Sequence, residues 1–228
     1  MKKGFTLAEV LITLGIIGVV AALTMPGLIT NYQKKAMAVK LKQTYSLLKN
    51  AEQLATIEYG RPQDWDYNTV DGTGGLNIPK SDLAGWFEKY YAPYLKLQKM
   101  PKSYLYTMSS KIKNIDGAAP YAGFQTSPLP SYQLANGVVL TPWANNQYFV
   151  FAVDLNGKAS PNVIGKDIFD FEVYYIAPRT LVTPGRSTSD RSAAISQCRS
   201  KTYTSGGPSP CSWIISQDGW EIAPDYPW

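Results

Sequence analysis

The chain opens with a stretch that is apolar on every side. From Val10 to Gln33 no residue carries a charge, and Val10 to Leu23 reads Val-Leu-Ile-Thr-Leu-Gly-Ile-Ile-Gly-Val-Val-Ala-Ala-Leu. About 20 residues of this kind form a helix long enough to cross a hydrocarbon layer. The period then changes. Over 31–60 the residues Met37, Leu41, Tyr45, Leu48, Ala51, Ala55 and Tyr59 return every three or four positions, which predicts one buried helix face. Lys34, Lys35, Lys40, Lys42, Lys49 and Glu52 are assigned mostly to the other faces. Gly60-Arg61-Pro62 ends the helix.

The rest of the chain alternates turns and short elements. Residues 61–80 are rich in Gly, Asp, Asn and Pro and read as a loop. Ser81 caps a short helix to about Tyr91, stopped by Pro93. Its aromatic residues Trp86, Phe87, Tyr90 and Tyr91 are assigned to core packing rather than to a ligand site. Tyr132–Ala135 and Val138–Leu140 flank Asn136-Gly137, a strong hairpin signal. A strand from Gln147 to Asp154 runs into a second turn at Asn156-Gly157, and Phe171–Ile176 is a further strand. Trp213, Ile215, Trp220 and Ile222 alternate with polar neighbours about Asp218-Gly219, which predicts a last hairpin. The tail Asp225-Tyr226-Pro227-Trp228 suits either subunit contacts or the core. The expected class is α+β, a long N-terminal helix packed on an antiparallel sheet.

Composition narrows the function. Hydrophobic residues make up 45% and charged residues 17%, so the chain can bury a core. The net charge of +5 is scattered and forms no nucleic-acid stripe. There is no histidine, which removes the commonest general base and metal ligand. Two cysteines without histidine make no ordinary zinc site. In an exported chain, Cys198 and Cys211 form one disulfide around a polar, turn-rich loop, worth about 3 kcal/mol for a loop of this size. No phosphate-binding glycine loop, dinucleotide fingerprint or nucleophile elbow occurs, so no enzyme is expected. Spacing alone leaves open a pair of carboxylates meeting in space.

Glu9 is the residue that these readings do not absorb. A carboxylate inside an apolar span costs roughly 2.5–3.5 kcal/mol and calls for a partner. A secretory signal cut near Val20-Ala21-Ala22, or a plain anchor, has no use for it. Lys2 and Lys3 before the span predict that the N-terminus stays cytoplasmic. The segment Gly4-Phe5-Thr6-Leu7-Ala8-Glu9, after two lysines and before an apolar run, resembles the processing site of type IV pilins and type II secretion pseudopilins.

That resemblance implies cleavage after Gly4 by a membrane aspartyl peptidase and N-methylation of Phe5. It implies that Glu9 of an incoming subunit pairs with the Phe5 amine of a neighbour. Pro26 sits where many such proteins carry a helix-kinking proline. The expected organisation is a leader over 1–4, a membrane-spanning and filament-core helix over 5–30, its amphipathic continuation over 31–60, and a pilin-like head over 61–228. The expected function is a structural subunit of a type IV pilus or a type II secretion pseudopilus. The alternatives are a minor pilin acting as a tip, adhesive or DNA-uptake subunit, and an anchored exported enzyme. Expected partners are other pilin or pseudopilin subunits, the prepilin peptidase, an inner-membrane assembly platform and, before assembly, the membrane; no specific nucleic acid is expected. The expected location is the inner membrane with the head outside, then a filament. A softer resemblance to pilin-like and pseudopilin-like proteins covers Val153–Lys158, Pro161-Asn162, Gly165 and Asp167-Ile168-Phe169. No cofactor is expected; calcium is the alternative, with Asp154, Asn156 and Asp167 as oxygen ligands whose spacing departs from an EF-hand.

Overall fold

The computed structural model describes residues 4, 6–65, 83–100, 111–117, 130–144, 148–174, 182–184, 190–199 and 209–228. Helix α1 spans Leu7–Tyr59. It is followed by α2 (Leu83–Tyr90), β1 (Leu97–Lys99), β2 (Tyr132–Leu134), β3 (Val139–Ala144), β4 (Tyr148–Asp154), β5 (Ile168–Tyr174), β6 (Val182–Thr183), α3 (Arg191–Arg199) and α4 (Cys211–Gln217). The strands pair in chain order and every neighbouring pair is antiparallel. The α+β class is as expected. The chain divides into two compact units, Met1–Ala36 and Met37–Trp228. Most of the loop expected over 61–80, the Ser81 cap, the start of the expected strand at Gln147, the end of the last expected strand at Tyr175-Ile176 and most of the loop between the cysteines lie outside the described residues.

Helix α1 stops where the sequence says it must. Gly60 adopts φ +81 and its N–H bonds to Thr56 O at 3.0 Å, a left-handed stop that glycine takes without a Cβ clash. The second half of α1 buries Met37, Ala38, Leu41, Thr44, Leu48, Ala51, Glu52 and Ala55. These residues follow the predicted steps of three and four, with one correction. Glu52, assigned to a polar face, is fully buried. Its two carboxylate oxygens accept the Val182 N–H at 3.0 and 3.2 Å, and Lys49 lies 3.3 Å away. The reason is the sheet edge. β6 is the last strand, so an N–H directed away from β5 has no ladder partner, and a buried orphan donor costs about 1–3 kcal/mol. Burial raises the pKa of Glu52, while Lys49 and the Val182 N–H pull it back down.

One face of the sheet is strongly aromatic. Register pairs Phe151 with Phe171, Phe149 with Val173 and Val153 with Phe169, so these side chains share a face. Tyr45 of α1 meets Phe171 edge-on with centroids 5.5 Å apart. Trp86 of α2 packs on Phe149 at 4.2 Å, and Tyr91, just past α2, packs on Phe151 at 4.9 Å. Trp65 stacks on Tyr90 at 4.4 Å. The aromatic run of α2 is therefore core, as assigned. The opposite face, with Val150, Ala152, Asp170 and Glu172, is buried as well.

The last expected hairpin is instead a helix. Residues 211–217 form α4, with Cys211, Ile214 and Ile215 buried at helical spacing. A short apolar run fits either period, and Pro210 just ahead of α4 suits a helix start. Gly219 at φ +69 and the bond from Trp220 N to Ile215 O at 2.8 Å close it. α4 lies along β5 where β6 is too short to reach. β6 pairs only with Glu172 and Val173, and the Ser212 hydroxyl donates to Asp170 O at 2.6 Å. A disulfide joins Cys198 of α3 to Cys211 of α4. In the tail Tyr226 is buried, which settles its two readings in favour of the core; its hydroxyl donates to Gly165 O at 2.6 Å.

Two predictions follow from this packing. A Cβ on Gly165 would lie 2.9 Å from Cys211 Sγ and 3.1 Å from the Tyr226 hydroxyl, at φ +83. Left-handed strain and overpacking together make Gly165→Ala cost about 2–4 kcal/mol, read as a lower urea midpoint at unchanged slope. Asp170 is buried, and burial pushes its pKa from 3.8 up to about 7 against a single counteracting bond from the Ser209 N–H at 2.9 Å. The folded state holds this proton at a pH where the unfolded chain has released it. Stability is therefore greatest below pH 4 on this account and falls as pH rises to about 7, by on the order of 4 kcal/mol. Asp170→Asn is expected to flatten that slope and raise the urea midpoint at pH 8; an unchanged slope would contradict it.

Candidate functional site

The start of α1 is a reciprocal cap. Thr6 and Glu9 stand at N-cap and N3 spacing, the pattern in which a hydroxyl and a carboxylate satisfy the free donors of a first turn. The Glu9 carboxylate accepts the Thr6 N–H and the Thr6 hydroxyl, each at 2.8 Å, and Glu9 N donates to the Thr6 hydroxyl oxygen at 3.3 Å. The acid is thus held at the positive end of the helix, where a negative charge is stabilised. Gly4 is exposed, and nothing lies within 4 Å of a Cβ built on it. Phe5 lies outside the described residues.

Beyond the cap, apolar side chains are exposed on all sides of α1. Leu7, Leu11, Ile12, Leu14, Ile16, Ile17, Val19, Leu23 and Leu28 are each more than half exposed. A helix from Leu7 to Ile29 is about 35 Å long, enough to cross a bilayer core of about 30 Å. Hydroxyls in this stretch are satisfied within the helix. Thr13 donates to Val10 O, Thr24 to Val20 O and Thr30 to Pro26 O, each at 2.9 Å. Pro26 sits inside α1 and has no N–H to offer the Ala22 carbonyl one turn earlier.

In the head, Asp154, Asn156 and Asp167 come together in the loop between β4 and β5. Asp154 Oδ1 accepts the Gly157 N–H at 2.8 Å and the Asn156 N–H at 3.2 Å. The Asn156 amide donates to Asp167 Oδ2 at 2.9 Å and to Ser160 O at 3.2 Å. Asp167 also accepts the N–H groups of Asn162, at 2.7 Å, and Val163. Burial raises the pKa of Asp167, and these donors pull it back. The loop's own donors therefore occupy much of the acceptor set that a cation would use. Among the described residues no three His, Cys, Asp or Glu side chains group as a metal cluster.

Three polar anchors were not read from the sequence. Glu52 recurs four residues after Leu48 and three before Ala55, so its spacing placed it on the buried face. Lys40, on the same helix, donates to Leu155 O. Arg191 forks onto Asp218 with two bonds of 2.8 Å and onto Asp225 with two of 2.9 Å, tying α3 to the end of α4 and to the tail. No local pattern announces that last triad, since its members are 27 and 34 residues apart.

Comparison with known proteins covers both parts of the chain. Residues 27–228 match a family of unknown function, DUF6613. Residues 1–25 match the prokaryotic N-terminal methylation motif. The chain is 26% identical over 145 residues to prepilin peptidase-dependent protein D of Escherichia coli (strain K12), covering 64% of this chain and 82% of that protein. It is 28% identical over 89 residues to type IV major pilin protein PilE1 of Neisseria gonorrhoeae, covering 39% of this chain and 50% of the pilin. No solved structure matches the chain.

Proposed function

We propose, from the premise that this chain belongs to the family of unknown function DUF6613 and carries the prokaryotic N-terminal methylation motif, that it is a structural subunit of a type IV pilus or a type II secretion pseudopilus. The observation that carries the proposal is Glu9, an acid placed at the head of an otherwise uncharged, exposed apolar segment from Leu7 to Ile29. Cleavage after Gly4 would free a cationic amine on Phe5, close in sequence to that acid. Amine and carboxylate each need a counter-charge in an apolar medium, and a neighbouring subunit supplies it to both. Subunits joined head to tail in this way grow as an open helical filament.

The partners that follow are a prepilin peptidase, an inner-membrane platform and other pilin-type subunits. Before assembly the apolar segment lies in the membrane, with Lys2 and Lys3 on the cytoplasmic side and the head outside. The work of the chain is assembly rather than catalysis. A tip subunit would need aromatic side chains exposed for stacking, whereas Trp65, Trp86, Phe87, Tyr90 and Tyr91 are buried, which favours the structural role.

The head works without a cofactor on this reading, its β4–β5 loop closed by its own hydrogen bonds. Its melting temperature is expected to stay the same with added calcium or chelator. A rise with calcium that Asp167→Ala abolishes would place the ion in the loop. The function itself is tested by mass spectrometry of the N-terminal peptide of the protein isolated from the membranes and filaments of cells that express the chain. A peptide beginning at methylated Phe5 is the expected result. An uncut leader, or a start near Leu23, would refute the assignment.

A further inference from the structure

Asn-Gly pairs occur twice in the chain, at Asn136-Gly137 and Asn156-Gly157. Glycine after asparagine matters chemically, because without a Cβ its backbone nitrogen can approach the side-chain carbonyl carbon. The two pairs are held differently. Asn136 is exposed in the β2–β3 turn. Its Oδ1 accepts the Val138 N–H at 3.2 Å, so the side chain folds back onto the backbone two residues on. That bond polarises the carbonyl and turns Cγ toward the intervening Gly137 nitrogen. Asn156 is half-buried, and its Nδ2 donates to Asp167 Oδ2 at 2.9 Å and to Ser160 O at 3.2 Å. Its Oδ1 is buried with no donor among the described residues. The Gly157 N–H is held by Asp154 Oδ1 at 2.8 Å, and a carboxylate there opposes loss of that proton.

We propose that Asn136 is a site of spontaneous covalent modification, where water converts the asparagine to aspartate and isoaspartate through a cyclic imide, and that the β4–β5 loop protects Asn156 from the same reaction. Gly137 N loses its proton to a solvent base and forms a bond to Asn136 Cγ. The Cγ–Nδ2 bond breaks, and ammonia leaves with a proton from solvent. Water then opens the imide. Attack at Cγ gives aspartate, and attack at the backbone carbonyl carbon gives isoaspartate. The net change is amide plus water to carboxylate plus ammonium, with no oxidant or cofactor. The Gly137 N–H bond to Leu134 O, at 2.9 Å, has to open for the attack, which an exposed turn permits. At Asn156 the leaving group is held by two acceptors and its carbonyl is not polarised. The modification also has a local consequence. Asn136 lines a groove with Lys42, Ser46, Leu47 and Asn50 of α1, so its product adds a negative charge to the surface that carries the Lys42 ammonium. Isoaspartate also lengthens the backbone inside the turn that sets the β2–β3 register.

The test incubates the freshly purified full chain in detergent at mildly alkaline pH, once folded and once unfolded in urea, and follows the peptides around 136 and 156 by mass spectrometry. In the folded chain the 136 peptide is expected to gain one mass unit and to separate into two isomers. Its rate is expected to exceed that of the 156 peptide roughly tenfold or more, the factor implied by the two hydrogen bonds on the Asn156 amide. In urea the two peptides are expected to convert at similar rates. Equal rates in the folded chain, or faster conversion at 156, overturn the proposal. So does a folded chain that stays unmodified at 136 while the urea sample converts. A rate ratio that persists in urea overturns it as well, because flanking sequence rather than the fold then sets the rates.

Discussion

A helix that is apolar all the way round cannot rest in water, and the organisation of this protein follows from that constraint. The side chains from Leu7 to Ile29 are exposed on every face, and each large one gains about 1.5–3 kcal/mol when covered. Lipid or neighbouring helices must supply the cover. An intramembrane acid is tolerable only with a counter-charge, so Glu9 belongs to the same constraint as the leucines around it. In the isolated chain the Thr6 cap supplies donors to that carboxylate. The acid therefore has hydrogen bonds but no counter-charge in the isolated chain, and on the proposed assembly a partner amine would have to displace or share those two bonds.

The same helix obeys a second rule after Ala36. From Met37 it buries one face and becomes part of a core shared with the sheet. The polar groups in that core are matched rather than absent. Glu52 closes the open edge of β6, and Ser212 supplies a donor to β5 where β6 has ended. Both are the usual solution to a sheet edge, a polar partner in place of a missing strand. The disulfide, Gly165 and Tyr226 converge on the start of β5 and tie the last third of the head together.

Much of this was legible in advance because period and turn chemistry are local. The apolar run, the three-four spacing after it and the stop at Gly60 specify the end of α1 within a residue. Asn136-Gly137 specified the β2–β3 turn, where Gly137 takes φ +84. What escaped was either short or non-local. β1 and β6 are three and two residues long and exist only because neighbours offer them backbone partners. α4 carries an apolar pattern compatible with both periods, and packing of Cys211, Ile214 and Ile215 decides it. Glu52 was misassigned by residue type, although its spacing placed it on the buried face. At the N-terminus the legible part was chemical rather than geometric, since a lone acid in an uncharged run has to be explained by a partner.

Among the described residues, every member of the core cluster lies at Met37 or beyond. The free energy of folding the head is therefore separable from the free energy of transferring the helix between surroundings. On the proposed assembly, the subunit would exchange one solvent for another as an already folded body.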